Sequence, residues 1–336
     1  MRVTAQRDPG SGIGATSRAQ VSLVLGAGGA RGYAHIGAIE ELLAQGFEIR
    51  AIAGSSMGAV IGGVYAAGKL DAYRDWVCTL QRFDVLRLLD WTLSGGGFIK
   101  GDRIIDALKD LIGETDIDDL PIAYTAVAVD LDAQREVWFS NGPLFDAIRA
   151  SIAIPTVFRP HRYLGRTFID GGLLNPLPVS ATLRDLTDCT IAVDVNAPAE
   201  RLGDTTDDDR GIAGQGSPEL AGTGEDKVPR QSGHWRRIAG FVESFRGERD
   251  NAPAVREARL FDLLERSLDI VQETITRLKL AAQPPDLLIT VPRNVCAIYD
   301  FHRAEEVIEI GRRRTREALE RWRASPSPQP QPHVAD

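Results

Sequence analysis

Twice in its first quarter the chain runs apolar, stops at glycines and resumes with helical spacing. VSLVL (21–25) ends at GAGGARG (26–32), and YAHIGAIEELLAQ (33–45) follows with Ile36, Ile39, Leu42 and Leu43 on one face, closed by Gly46. A second apolar run (49–53) ends at GSSMG (54–58), and a helix of small residues over 57–67 stops at Gly68. A short, mainly apolar run bounded by turn residues marks a buried strand. Strands and helices in this alternation predict an α/β fold with a mostly parallel sheet. Further strands are expected at 122–129, 136–139, 167–169, 191–195 and 287–291, and helices at 102–112, 143–152 and 254–281.

The remainder of the chain sets the limits. Its 336 residues suffice for one large domain or two ordinary ones, with a sizeable core. Residues 1–20 are polar and glycine-bearing and read as a disordered leader. The main domain is expected over 21–323. Within it, 200–232 is rich in Gly, Asp and Thr and reads as a disordered insertion, followed by C-terminal helices and a last strand over 234–323. A proline-rich tail follows from 324. A formal net charge of −8 argues against nucleic-acid binding through bulk charge. Cys78, Cys189 and Cys296 are far apart with no metal spacing, which suits a reducing compartment. With no secretory signal and no apolar stretch of membrane-spanning length, the expectation is a cytoplasmic protein, or one peripheral to a membrane.

GAGGARG lies between a strand and a helix, the context of a dinucleotide loop. That fingerprint needs glycine at the sixth position, and here that residue is Arg31. The alternative is an oxyanion hole. Small residues at a helix start expose N–H groups that no helix bond uses, and these can converge on a developing negative charge. A tight turn without chemistry would satisfy the same residues.

In GSSMG, Ser56 lies between Gly54 and Gly58 in the pattern Gly-x-Ser-x-Gly. Between strand and helix this turn lifts a serine oxygen above the sheet edge as a nucleophile. The competing reading is a helix-capping serine, Ser55 or Ser56, in a packing turn. A nucleophilic serine needs a base. His161, His234, His302 and His333 follow it, and none lies in a loop suited to catalysis; His35, on the first helix, reads as packing near the glycine loop. An aspartate fits better. TFIDGG (167–172) runs apolar into Asp170, followed by Gly171 and Gly172. A desolvated carboxylate at a strand end can take a serine proton directly. A plain Asp-Gly turn is the ordinary alternative, and Asp194 in IAVDVN is the second candidate acid.

GAGGARG, GSSMG and DGG, in that order, resemble the patatin-like phospholipase family. HIGAIEEL, AIRASIAIPTVFRP and NPLPV add to the likeness. The resemblance covers 21–196 well and the later helices more loosely. It is nearest to bacterial members of the neuropathy-target-esterase branch without an appended cyclic-nucleotide domain. The resemblance implies a patatin-like three-layer α/β fold and a Ser56–Asp170 dyad. It also implies an oxyanion hole around Gly28, Gly29, Ala30 and Arg31, a nucleophile elbow flanked by Gly54 and Gly58, and a DGG motif completed by Gly171 and Gly172. The implied activity is hydrolysis of carboxylic esters in phospholipids or lysophospholipids, with no metal or cofactor. A lipid transacylase, or a non-catalytic partner-binding protein on the same fold, are the competing classes.

Lipid substrates bring a membrane or micelle into the problem. HWRRIAGFVESFRGER (234–249) groups Trp235, Ile238, Phe241, Val242 and Phe245 beside arginines, as an interfacial helix or a core-packing helix would. The arginines 312–314 suit an anionic surface or a solvated basic face.

Overall fold

The computed structural model describes residues 18–88, 102–155, 157–200 and 252–324. The predicted insertion beyond Glu200, the predicted helix at 234–249 and the predicted tail from 325 lie outside them, as do residues 1–17 of the predicted leader. Two compact units are present: Met1–Glu200 with Leu268–Asp336, and Arg201–Ser267. The described residues of the second belong to one helix.

Among the described residues, eight strands form one sheet: β1 (Gln20–Leu25), β2 (Glu48–Ser55), β3 (Ala123–Asp130), β4 (Arg135–Phe139), β5 (His161–Tyr163), β6 (Arg166–Asp170), β7 (Cys189–Ala197) and β8 (Leu287–Pro292). The central strands β3, β2, β1, β7 and β8 pair parallel in that order. The end beyond them is antiparallel, with β4 and β6 on β3 and β5 on β6. The strand at 21–25 begins one residue earlier than expected, because Gln20 still pairs with Glu48.

Helices cover both faces of the sheet, as the expected three-layer α/β fold requires. They are α1 (Ala34–Ala44), α2 (Met57–Ala66), α3 (Leu70–Thr79), α4 (Arg82–Leu88), α5 (Asp102–Ile112), α6 (Leu144–Ser151), α7 (Ala252–Ala282) and α8 (Ala304–Ala324). Alternation along β1 shows why both faces need cover. Leu23 and Leu25 join the main core with Ile36 and Ile39 of α1, Ile61 of α2 and Val307 of α8. Val24 points the other way, into a cluster with Leu177, Val179, Ala192 and Leu280 of α7. Strands apolar at successive positions therefore lose surface to water on both sides, at about 25 cal/mol per Å² of apolar area.

α3 was not expected, although Leu70, Tyr73 and Val77 recur at helical spacing and are buried. On α8 the basic stretch is largely engaged by the protein itself. Arg312 pairs with Glu40 and Arg316 with Glu41, both on α1, and Arg314 pairs with Glu200. No helix among the described residues is long and apolar enough to cross a membrane.

The register around β3 positions the site. β2 runs parallel to β3 and ends with Ser55 opposite Val127. β6 runs antiparallel to β3 and ends with Asp170 opposite Ala128. Because β4 occupies the other edge of β3 along Ala126–Asp130, β2 and β6 share one edge, C-terminus facing C-terminus.

Candidate active site

Between β2 and α2, Ser56 adopts φ 52 and ψ −122, a backbone conformation that costs an L-residue on the order of 1–3 kcal/mol. The flanking glycines let the chain turn that sharply. A β-carbon on Gly54 would stand 2.3 Å from the Gly58 carbonyl oxygen, and one on Gly58 would stand 2.1 Å from that of Leu25. Ser56 occupies the cap position of α2, yet its side chain makes no cap bond. Its hydroxyl donates instead to Asp170 Oδ2 at 2.6 Å. The Ser56 N–H donates to Ser151 Oγ at 2.9 Å, and the Ser151 hydroxyl donates to the Val127 carbonyl at 2.6 Å.

Asp170 is held from three directions. Its N–H donates to the Ala153 carbonyl at 3.0 Å, and its Oδ1 accepts from the Gly172 N–H at 2.7 Å. Gly171 passes so close to β3 that a β-carbon would lie 2.0 Å from the Val127 carbonyl oxygen. Ser56 and Asp170 are each only 4% exposed. Burial pushes the Asp170 carboxyl from 3.8 up to about 6, against the lowering effect of the hydrogen bonds from Ser56 and Gly172. Asp194, the second candidate acid, accepts from the Asn196 N–H, and burial also raises its carboxyl.

The described histidines are placed elsewhere. The ring Nε2 of His35 donates to the Gly26 carbonyl at 2.8 Å, and burial lowers its pKa from 6.5 to about 4. His161 bonds Asp146, and His302 accepts from Arg82. His234 and His333 lie outside the described residues.

The glycine loop joins β1 to a short 3-10 helix, Gly29–Tyr33, and rests on the elbow: a β-carbon on Gly32 would lie 2.4 Å from Met57 Cγ. Two of its N–H groups are already engaged. The Ala30 N–H donates to the Ile298 carbonyl at 2.9 Å and the Arg31 N–H to the Gly28 carbonyl at 3.2 Å. Of the four residues expected around the oxyanion, only Gly28 and Gly29 keep an N–H without an acceptor among the described residues. Gly29 has φ +55, and a β-carbon there would lie 2.6 Å from the Ile298 carbonyl oxygen. The Arg31 guanidinium braces the loop from behind, donating to Asn196 Oδ1 at 2.7 Å, while Asn196 Nδ2 donates to the Ala27 carbonyl at 2.6 Å.

Ser151, Ile298 and Asn196 were missed as site residues. Ser151 lies in AIRASIAIP, but a lone serine at a helix end carries no mark of its bond to residue 56. Ile298 acts through its carbonyl, which side-chain identity does not report. Among the described residues no group of three His, Cys, Asp or Glu side chains is arranged to hold a metal ion.

Residues 23–183 match the patatin-like phospholipase family model. Uncharacterized NTE family proteins of Mycobacterium bovis and Mycobacterium tuberculosis are 40% identical over 335 residues, covering 91% of this chain and 92% of theirs. Lysophospholipase NTE1 of Debaryomyces hansenii is 26% identical over 91% of this chain and 18% of its own. The chain therefore belongs to the NTE family and carries a patatin-like phospholipase domain.

Proposed function

We propose that this protein is a serine-dependent lipid acyl hydrolase that cleaves carboxylic esters of phospholipids or lysophospholipids, with Ser56 as nucleophile and Asp170 as general base. The observation that carries the reading is the buried 2.6 Å hydrogen bond from Ser56 Oγ to Asp170 Oδ2. Its geometry suits direct proton transfer, and a carboxyl raised to about 6 is more basic than a solvated one while still ionised at neutral pH. The family match and the lysophospholipase among the relatives support the substrate class.

In this scheme Asp170 takes the hydroxyl proton as Ser56 Oγ attacks the ester carbonyl. The carbonyl oxygen becomes an oxyanion within reach of the Gly28 and Gly29 N–H groups, and the positive end of α2 favours the same charge. The tetrahedral species collapses, and Asp170 returns its proton to the departing alcohol. A water molecule then attacks the acyl-enzyme with Asp170 again as base, releasing a fatty acid and restoring Ser56. Because such esters reside in bilayers and micelles, the protein works in peripheral contact with a lipid surface.

The test combines turnover of a short-chain p-nitrophenyl ester and a lysophospholipid with fluorophosphonate labelling. Ser56→Ala should abolish labelling, and both Ser56→Ala and Asp170→Asn should lose at least about a thousandfold in kcat/KM. Full labelling or turnover by Ser56→Ala would remove the elbow from the mechanism.

A further inference from the structure

The reason Gly172 carries no side chain lies partly outside its own turn. A β-carbon there would stand 3.0 Å from each of three atoms: Asp170 Oδ1, Ala27 Cβ and Gln272 Nε2. The DGG turn, the glycine loop and α7 thus meet at one point. Gln272 is half-buried, and its amide makes no hydrogen bond with any described residue. The helical turn bearing it is tied on both sides. Asp269 faces Arg31 Nη2 at 3.8 Å, and Glu273 accepts from Arg293 Nη2 at 2.8 Å. Ile270 and Val271 lie on the exposed side of the same turn. On this turn of α7, polar side chains face the glycine loop and the DGG turn, while Ile270 and Val271 face away.

Proton transfer says which part of a substrate lies there. The departing alcohol receives its proton from Asp170, so it must lie beside that carboxyl, and Gln272 Nε2 and Asp170 Oδ1 both flank the position a Gly172 β-carbon would take. In a lysophospholipid the departing alcohol is a glycerol that still bears a hydroxyl, which both donates and accepts. A primary amide matches both roles. We infer that Gln272 is a specificity-determining residue that hydrogen-bonds the free glycerol hydroxyl of the departing alcohol. This rests on the Ser56–Asp170 reading above. A bond to a half-buried amide gives discrimination far smaller than that of a sealed polar pocket, about tenfold.

The experiment compares kcat/KM for a lysophosphatidylcholine and for its analogue with hydrogen in place of the glycerol hydroxyl, in wild type, Gln272→Leu and Gln272→Ala. Fluorophosphonate labelling of Ser56 and a thermal melt accompany each variant. Wild type is expected to favour the hydroxyl-bearing lipid by about tenfold, and both variants to fall within about twofold of indifference. A preference that survives in the variants, or a wild type that labels and turns over lipid with no preference, overturns the role of Gln272 alone. A wild type that neither labels nor hydrolyses either lipid overturns the dyad reading, and this inference with it.

Discussion

Ser55 and Asp170 end two strands that run toward each other along one edge of β3, opposite Val127 and Ala128 respectively. Ser56 follows directly, and its hydroxyl reaches Asp170 Oδ2 at 2.6 Å. The separation of Ser56 and Asp170 is thus set by sheet register, which resists slippage because a one-residue shift would turn every side chain of a strand to the opposite face.

The base should declare itself in the pH dependence. Asp170 must be ionised to accept the proton, and burial holds its carboxyl at about 6. On a soluble ester, kcat/KM should rise about tenfold per pH unit below that value and level off above it. An acid limb centred near pH 4, the solvated carboxyl range, would contradict a desolvated base.

Stability should move the opposite way. Between pH 3.8 and about 6 the folded protein holds a proton that the unfolded chain has released. Stability contributed by Asp170 is therefore present below that window, falls as pH rises through it, and stays low above it. Asp170→Asn removes the penalty, so at neutral pH the inactive variant should be more stable by about 1–3 kcal/mol. The gain should vanish below about pH 4. Urea midpoints of both proteins across the window measure this; equal midpoints at neutral pH would mean that the carboxylate is not penalised by burial.

Ser151 should act on the nucleophile without touching substrate. It links the Ser56 N–H to the Val127 carbonyl, while the Ala153 carbonyl two residues on holds Asp170. Ser151→Ala leaves a buried donor and a buried acceptor unpaired and should cost about 2 kcal/mol of stability. Misplacement of the elbow should lower kcat by about ten- to hundredfold with little change in KM. Steady-state kinetics with a thermal melt separate this from simple unfolding, and an unchanged kcat in a destabilised protein would reduce Ser151 to a packing role.

His35 makes a contrasting case. Its folded pKa of about 4 lies below the ordinary 6.5, so the stability it contributes is present above 6.5 and lost as pH falls toward 4. His35→Leu should cost about 2 kcal/mol at neutral pH by stranding the Gly26 carbonyl, and should flatten the acid dependence in that window. Activity of the folded variant should fall by less than about tenfold, far short of the loss at Asp170. A loss as large as that of Asp170→Asn would give His35 a catalytic role.

Much of this protein is local, and that part was legible. The first two strand–glycine–helix units, the elbow at 54–58 and the acid before Gly171-Gly172 can be read from neighbouring residues, because turn chemistry and hydrophobic period act over a few positions. Of the histidines, His35 was read as packing near the glycine loop, and in the structure its ring Nε2 donates to the Gly26 carbonyl. Tertiary structure decided the rest. Of the four residues expected at the oxyanion, two have their N–H groups consumed, one by the carbonyl of Ile298 from the far end of the chain. Ser151 and Gln272 are ordinary residues in sequence and become neighbours of Ser56 and Gly172, respectively, only when α6 and α7 pack. Motifs specify the shapes of turns, whereas the partners of a backbone N–H and the neighbours of a bare glycine are fixed by packing between segments distant in the chain.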